Sequence, residues 1–447
     1  MSNSVDSAAN PPAQKRFGPI LLSPGYGPKQ VITFLFVLCV SYCMNEFSNA
    51  MLPLILREQL HVPAGQQGRL TGLLGATQQV GTLICILFAG ALADIYGRRI
   101  MLILTMIGFM ICLVFYPLVS VVYALFAVKF LWGVAYSGYN AGAPTLSIDI
   151  PDNSSRGKFN SLVLLTPLLA TSGFVLYASK LPAWFQSMGY SPHASLVGSY
   201  WLAAILPLIC IITTIAFLNE PKRPVRENDG GGVLARVKGL FSNIRGVLAY
   251  ARQNKTFGLI IFIGSVVRTD TVIIGTFLAL WIVNAGRVAG IDAIQATKTV
   301  GLIVFIRFIT KVIGAPLFGL IADKVNRTTL MLVSLAMMTL AFGFFGLIQD
   351  AFGVWMIVAA VLVGFAESAE AIASQSLMAQ EAPAHLRGSS VGVFTFLGTA
   401  TLMIVNLLGG ILFDKLGFAS PMLMEAVLHL VVLVVSLLLL RKNAAKA

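Results

Sequence analysis

The feature that most constrains the fold of this chain is a series of apolar segments, each long enough to cross a lipid bilayer. A transmembrane helix needs about 20 mostly apolar residues. Twelve segments meet this condition: 31–56, 70–92, 100–119, 121–147, 159–179, 197–218, 257–284, 299–318, 328–348, 353–378, 389–413 and 420–440. Only 11% of the residues are charged, against about 25% in soluble domains. The sequence therefore predicts an all-α integral membrane protein.

Other protein classes are excluded by the same sequence. All five cysteines lie inside apolar segments, where they behave as small hydrophobic side chains rather than as a disulfide framework: Cys39, Cys43, Cys85, Cys112 and Cys210. The four histidines show no metal-ligand spacing, and the sequence contains no Walker loop. We expect no enzyme activity, no metal site and no cofactor, with the proton motive force rather than ATP as the energy source.

The distribution of basic residues predicts the orientation in the membrane. The formal net charge is +13. If both termini are cytosolic, 21 Lys and Arg residues lie in cytosolic segments and six in outer loops. Such a bias follows the positive-inside rule, so the charge signals topology and not nucleic-acid binding. We expect a multi-pass protein of the plasma (inner) membrane, with cytosolic tails at 1–30 and 441–447.

A single long polar stretch, 219–256, divides the spans into two sets of six. Within it, apolar residues recur at helical spacing: Val233, Val237, Leu240, Phe241, Ile244 and Leu248. Basic residues occupy the other faces, which is typical of an amphipathic helix on the inner leaflet. A binding site for a regulatory partner is the alternative. The sequence predicts two bundles, 31–218 and 257–440, joined by this linker.

The two halves repeat each other. The segment that begins at Gly90 reads GALADIYGRR, and the segment that begins at Gly319 reads GLIADKVNRT. Asp149-Ile-Pro151 before Arg156-Gly157 likewise corresponds to Glu381-Ala-Pro383 before Arg387-Gly388. The offsets, 229 and 232 residues, are nearly equal. Two motif pairs at nearly one spacing indicate two similar six-helix bundles.

With this loop and its copy, the chain resembles the major facilitator superfamily over all twelve spans. The resemblance implies alternating access, with the loop acting as a gate on the cytosolic face. Asp94 would meet the first turn of span eleven, near Ser389 and Ser390, where a helix dipole favours an anion. Arg98 is expected to pair with Asp149. In the second half, Arg327 is expected to pair with Glu381.

The full set of expected gating residues is Gly90, Asp94, Gly97, Arg98, Asp149, Arg156, Asp323, Arg327, Glu381 and Arg387. An alternative role for the arginines is to anchor the topology alone. Span four departs from the family, because Lys129 stands where many relatives carry an arginine four residues before a glycine.

Among the ionisable residues within spans, six are the main functional candidates: Glu46, Arg268, Asp270, Arg307, Glu367 and Glu370. Each such group costs about 2.5–3.5 kcal/mol to insert unless it is paired or hydrated, so each is a functional candidate. The resemblance places all six within reach of one central cavity. We expect Glu46, Asp270 and Glu367 to carry protons, Arg268 to pair with an acid of span one or ten, and Asp270 to pair with Arg307. Static buried ion pairs are the alternative.

The expected substrate-binding residues combine cations with amides and aromatic rings: Arg268, Arg307, Lys129, Gln78, Tyr136, Asn140, Trp281 and Asn406. Arginines in the cavity favour an anionic or zwitterionic solute, whose carboxylate they can clamp. Lys311 is expected near the membrane interface. Glu425 and His429, four apart on span twelve, are expected to be structural.

We therefore expect a monomeric secondary transporter that couples a small organic solute to protons, with symport and antiport both open. Its partners would be the solute, protons and the lipid bilayer. A proton-driven exporter of lipophilic cations is one alternative, with Glu46 and Glu370 as binding acids. A non-transporting membrane receptor or scaffold is another.

Overall fold

A computed structural model describes residues 15–221, 244–322, 324–381 and 387–444, with side chains at all of these except 87, 94, 255, 256, 378–381, 387–391 and 440–444. The first half begins with a two-stranded hairpin of β1 (Arg16–Phe17) and β2 (Ile20–Leu21). Its helices are α1 Pro28–Leu54, α2 Ala64–Tyr96, α3 Arg98–Phe115, α4 Val122–Asp149, α5 Arg156–Ala178, α6 Leu181–Ser187 and α7 Pro192–Phe217.

The second half begins with α8, which is helical over 244–253. It continues with α9 Lys255–Val266, α10 Thr269–Ile273, α11 Ala279–Val288, α12 Ala293–Ala322, α13 Arg327–Gly346, α14 Val354–Glu381, α15 Arg387–Leu416 and α16 Ser420–Ala444. Short π-helical segments, Ile55–Gln59 and Ile274–Leu278, follow α1 and α10.

These helices confirm the predicted fold class. Within the described residues, ten helical segments are long and apolar enough to cross a membrane. Helices α2 and α4 also match predicted spans in position and length, but they carry more polar residues, such as Gln78, Gln79 and Lys129. Polar groups are tolerated in these two helices because they face protein rather than lipid.

The spans run alternately between two faces of the protein. We call the face with the first residue of α1 and the last residue of α7 the terminal face, and the opposite one the distal face. The hairpin lies at the terminal face, where Leu21 N donates to Ser155 Oγ over 3.0 Å. An even number of spans returns the chain to the face on which it starts.

Span seven is broken at its centre. Helix α9 ends at Val266, and α10 begins only at Thr269. The Thr269 hydroxyl lies 2.7 Å from the Val266 carbonyl oxygen, a local bond that competes with the helical ladder. The π-helical segment follows immediately, and such segments often occur at functional sites. The break places Arg268 and Asp270 on separate backbone segments.

The predicted amphipathic helix is described only in part, because 222–243 lies outside the described residues. Over 244–253 the backbone is helical, as expected. Val247 is buried in a cluster with Phe257 and Ile260 of α9, and Ile244 packs against the same cluster. Leu248 is exposed. The described part of the linker is therefore seated on the C-terminal half.

Candidate functional site

An ion pair between α12 and α14 lies at the centre of the C-terminal half. Arg307 Nε donates to both carboxylate oxygens of Glu367, over 2.9 and 3.1 Å, and Nη2 contacts the same carboxylate. Lys311 Nζ lies 3.3 Å from Glu367 Oε2. Arg307 and Glu367 are buried, and Lys311 nearly so. The expectation that Lys311 lies near the membrane interface was therefore wrong, because Lys311 contacts Glu367 one helical turn from Arg307.

Two further acids join this group from α1 and α10. Asp270 accepts a hydrogen bond from Thr271 Oγ1 over 3.2 Å and lies within hydrogen-bond reach of Glu367. Glu46 interacts electrostatically with Arg307, Glu367 and Lys311. The expected pairing of Asp270 with Arg307 was wrong, because Glu367 occupies the guanidinium fork.

We call Glu46, Asp270, Arg307, Lys311 and Glu367 the central ion cluster. Three carboxyl groups face two cations, so the cluster is neutral only when one acid carries a proton. A net charge in such a buried setting is costly, because water that would solvate it is excluded. The arrangement is able to take up and release one proton. All three acids expected to couple protons are in it.

Arg268 stands apart from the cluster. It is half-buried, and within the described residues no carboxylate lies within 4 Å of it, so the expected pairing with an acid of span one or ten is absent. It interacts electrostatically with Tyr136 and Tyr139 of α4. The two tyrosine rings stack with centroids 5.5 Å apart, and Tyr42 of α1 packs edge-on against Tyr139.

This aromatic wall faces Arg268 across the two halves. Tyr42 keeps 37% of its surface exposed although α1 packs against α5, α7 and α11. A half-buried cation opposite aromatic rings suits an organic anion with an apolar body.

A small polar pocket brings together three other predicted binding residues. Lys129, Gln78 and Asn406 line a cavity of about 30 Å³ with Asn45, Asn49 and Thr276, which is room for about one water molecule. Lys129 Nζ lies 3.3 Å from Gln78 Oε1 and 3.5 Å from Ser48 Oγ, and it sits over the Tyr116 ring. Lys129 is thus held by neutral groups.

The remaining predicted binding residues are not gathered at one point. Trp281 is buried and packs on Phe345 with ring centroids 5.7 Å apart, which places it in the core of the C-terminal half. Asn140 is half-buried on α4, one turn from Tyr136. Arg307 is occupied by Glu367, so it is not free to clamp a solute in this conformation.

At the terminal face, the predicted pairing of Arg98 is present. Arg98 Nη1 lies 3.1 Å from Asp149 Oδ2 and 3.8 Å from Glu220. Arg99 N donates to Glu220 Oε2 over 3.2 Å at the first turn of α3, where the helix dipole favours an anion. Gly97 has φ +93°, a conformation that favours glycine. These contacts join α3, α4 and the end of α7, all within the N-terminal half.

Tyr26 lies beside this ion pair. Burial, together with the negative charges of Asp149 and Glu220, raises the pKa of the Tyr26 phenol well above its usual range. The phenol therefore stays neutral at this face.

The other expected gating residues are described only in part. Asp323 and the side chains of Asp94, Glu381 and Arg387 lie outside the described residues. Arg327 Nη1 is 3.4 Å from the Ser376 carbonyl oxygen, and its expected pairing with Glu381 therefore stays a prediction. Arg156 is exposed at the start of α5, and Gly90 has open space where a Cβ would lie.

The distal face is closed by contacts between the halves that the sequence did not predict. Asp414 of α15 accepts hydrogen bonds from Gly68 N and Arg69 N of α2, over 2.8 and 2.7 Å. Asn284 Nδ2 of α11 donates to Gln67 Oε1 over 3.0 Å. These polar contacts, all at the distal face, hold α2 against α11 and α15. No sequence motif marks Asp414, whose partners are backbone groups.

Glycines allow the same helices to approach closely. A Cβ at Gly72 would lie 2.3 Å from the Asn406 carbonyl oxygen, and one at Gly410 would lie 2.4 Å from the Gly68 carbonyl oxygen. Only glycine fits at these crossings.

A second group of buried ionisable residues lies between α14 and α16. His429 Nε2 is 3.2 Å from Glu370 Oε1, and His429 Nδ1 is 3.6 Å from Glu425 Oε1. We call these three residues the rear triad. Glu425 and His429 share a helix face, as their spacing predicts.

Comparisons with known proteins agree with this architecture. The family model described as Major Facilitator Superfamily matches residues 34–296 and 260–447. The magnetosome protein MamH of Paramagnetospirillum magneticum is 22% identical over 408 residues, which cover 88% of this chain and 89% of MamH. The multidrug resistance protein MdtG of Klebsiella pneumoniae is 23% identical over 383 residues, covering 84% and 85%. A mutant of the nucleoside transporter NupG shares the fold with a TM-score of 0.70 at 14% identity, covering 91% of this chain and 99% of that one.

Proposed function

Because the chain belongs to the Major Facilitator Superfamily and is a membrane transporter rather than an enzyme, we propose that it couples movement of a small organic anion or zwitterion to protons by alternating access. The observation that carries the proposal is the half-buried Arg268 opposite Tyr42, Tyr136 and Tyr139. Arg268 supplies a fork of N–H donors for a carboxylate, and the rings supply an apolar surface.

Proton coupling is supported by the unequal charges of the central ion cluster. One of Glu46, Asp270 and Glu367 must be protonated for neutrality. Glu367 is already held by Arg307 and Lys311, so the proton belongs to Glu46 or Asp270. Asp270 is two residues from Arg268, and a solute bound at Arg268 thus acts on the same broken span as the proton.

The contacts at the distal face support the alternating-access part of the proposal. In this conformation, Asp414 and Asn284 hold the two halves together at the distal face. For solute to leave on that side, these hydrogen bonds must break, and the glycine crossings must separate. The positive charges favour cytosolic termini in the plasma membrane, so the terminal face is cytosolic in the proposed cycle.

A second candidate function is export of lipophilic cations. A similar protein bears the name multidrug resistance protein MdtG. Glu46 interacts electrostatically with Tyr136 of the aromatic wall. Arg268 disfavours this function, because a cationic solute between the same walls would be repelled.

Thermal unfolding of the purified protein distinguishes the two. We would measure it against a panel of organic carboxylates, zwitterions and lipophilic cations. A ligand at 100 times its dissociation constant stabilises the folded state by about 2.7 kcal/mol. Stabilisation by carboxylates, lost in Arg268→Gln, supports the proposal. Stabilisation by lipophilic cations alone contradicts it and supports export.

A further inference from the structure

The hydrogen-bond contacts of the rear triad indicate which of its atoms carry protons. Thr269 Oγ1, on α10, lies 2.7 Å from the Val266 carbonyl oxygen and also contacts Glu425 Oε1. A hydroxyl has one proton and can donate to only one of these two acceptors. The carbonyl has no proton to give. If the Glu425 carboxyl is protonated and donates to Thr269, the Thr269 hydroxyl is free to donate to the Val266 carbonyl oxygen, and both contacts are hydrogen bonds.

The imidazole of His429 leads to a similar conclusion. His429 Nδ1 lies 2.9 Å from the backbone carbonyl oxygen of Glu425, which can only accept, so Nδ1 carries a proton. Nε2 faces Glu370 Oε1 at 3.2 Å. His429 Nε2 and Glu370 Oε1 do not meet the geometry of a hydrogen bond. A proton is still required between them, because two bare lone pairs this close would repel.

The net charge of the rear triad indicates the same number of protons as its hydrogen bonds do. The side chains of Glu370, Glu425 and His429 are at most 1% exposed. With both carboxylates ionised, even a charged imidazole leaves the triad with one excess negative charge in a site that bulk solvent does not reach. Neutrality requires two exchangeable protons, one on Glu425 and one shared by Glu370 and His429.

The groups around the triad connect it to the transport path. Its charged neighbours are Asp270 of α10 and Glu367 of α14. From α13, the Phe342 ring stacks on the imidazole with centroids 6.1 Å apart. Thr269, which touches Glu425, stands between Arg268 and Asp270. None of the three triad residues lines the polar pocket around Lys129.

We propose that Glu370, His429 and Glu425 form a second proton-binding site, outside the solute path, which fixes the position of the break in span seven through Thr269. Loss of the Glu425 proton removes the bond to Thr269 and leaves two acceptors competing for one hydroxyl. The break, with Arg268 and Asp270 on it, then relaxes. This link to transport rests on the proposed function, whereas the protonation itself does not.

The test is infrared difference spectroscopy of the full-length protein in lipid, with pH as the only variable. We expect protonated-carboxyl C=O absorption at pH 7 in the wild type from both the central ion cluster and Glu425, and only the Glu425 band is lost in Glu425→Gln. Thr269→Val should shift that band without removing it, because the acceptor changes and the proton stays. Glu58→Gln is the control, since the Glu58 side chain is 36% exposed and, among the described residues, forms an ion pair only with Arg57.

Unchanged carboxyl absorption in Glu425→Gln, in a sample that elutes as folded protein, overturns the inference. So does a Glu425 band that Thr269→Val leaves unshifted. The measurement needs no solute, so a protein that shows the expected bands but accumulates no anion contradicts the proposed function alone. If transport is found, Thr269→Val should also change its pH profile, whereas a role limited to packing would not.

Discussion

Arg307 of α12 and Glu367 of α14 form an ion pair through two guanidinium nitrogens, at a place where neither side chain reaches solvent. Taking both charges out of water is costly, and the pair is stable because each charge neutralises the other. Lys311 adds a positive charge beside Glu367, and Asp270 adds a carboxyl group within hydrogen-bond reach of Glu367. The pair therefore holds α12 against α14, and in the proposed cycle the neighbouring acids are the groups that exchange protons.

Breaking this pair should strongly destabilise the protein. Glu367→Gln leaves Arg307 without its carboxylate, and the loss of a buried partner costs about 3–5 kcal/mol. Arg307→Met/Glu367→Met should cost less than the sum of its single changes. The apparent melting temperature in detergent checks both. Glu58→Gln is the matched control, because exposed pairs contribute at most about 1 kcal/mol. Equal effects of Glu367→Gln and Glu58→Gln would contradict this account.

Arg268 should determine affinity for anionic solutes. Arg268→Gln removes a charged donor worth about 1.5–3 kcal/mol, which corresponds to a roughly ten- to hundredfold weaker dissociation constant. Arg268→Lys should recover part of the loss, since it keeps the charge without the fork. Binding is measured for the strongest carboxylate of the thermal panel. Arg287→Gln, exposed at the distal end of the same span, should have no effect. Unaltered affinity in Arg268→Gln would remove it from the site.

Asp414 should stabilise closure of the distal face. Asp414→Ala leaves Gly68 N and Arg69 N without their acceptor, and a lost cap of this kind costs about 0.5–2 kcal/mol. The distal-open population should rise about two- to thirtyfold. Spin labels at Tyr123 and Val288, one on each half and both highly exposed, report the opening by their distance distribution. The control is Asp350→Ala, since the hydrogen bond that Asp350 makes within the described part of the chain stays inside its own distal loop. Identical distributions in wild type and Asp414→Ala would rule out a closing role.

A larger residue at Gly72 should also open the distal face, because its side chain would push the two helices apart. In Gly72→Ala, the new Cβ would lie 2.3 Å from a backbone oxygen of α15, so the helices must separate at about 1–3 kcal/mol. The same spin-label pair should show distal opening. Gly65→Ala on the same helix is the matched control, because no atom of the described residues lies within 4 Å of its Cβ position. Opening in neither variant would show that the crossing yields by local repacking.

The fold was predictable because the bilayer imposes it. Segments such as 31–56 and 420–440 have to be helical, since a backbone in lipid must satisfy its own hydrogen bonds. The motif around Asp94 recurs around Asp323, and this repeat predicted two similar bundles, one in each half. Charges within spans were recognisable as special, because each is costly unless it has a partner.

The partners themselves were not predictable, because pairing depends on helix rotation and depth. Arg307 was assigned to Asp270, and Glu367 of another span holds it instead. A signal was present in the spacing of Arg307 and Lys311, which are four apart and share a face. The distal closure had no signal at all. Asp414 binds backbone N–H groups, and a sequence does not show which of these another helix will approach.

The most direct test of proton coupling is solute accumulation in proteoliposomes driven by a proton gradient, compared with solute exchange at equal pH. Glu46→Gln removes one exchangeable proton from the central ion cluster and leaves Arg268 and the tyrosines in place. This variant is expected to lose gradient-driven accumulation while solute exchange continues. Accumulation at the wild-type level in Glu46→Gln would contradict the role of this carboxyl group in coupling.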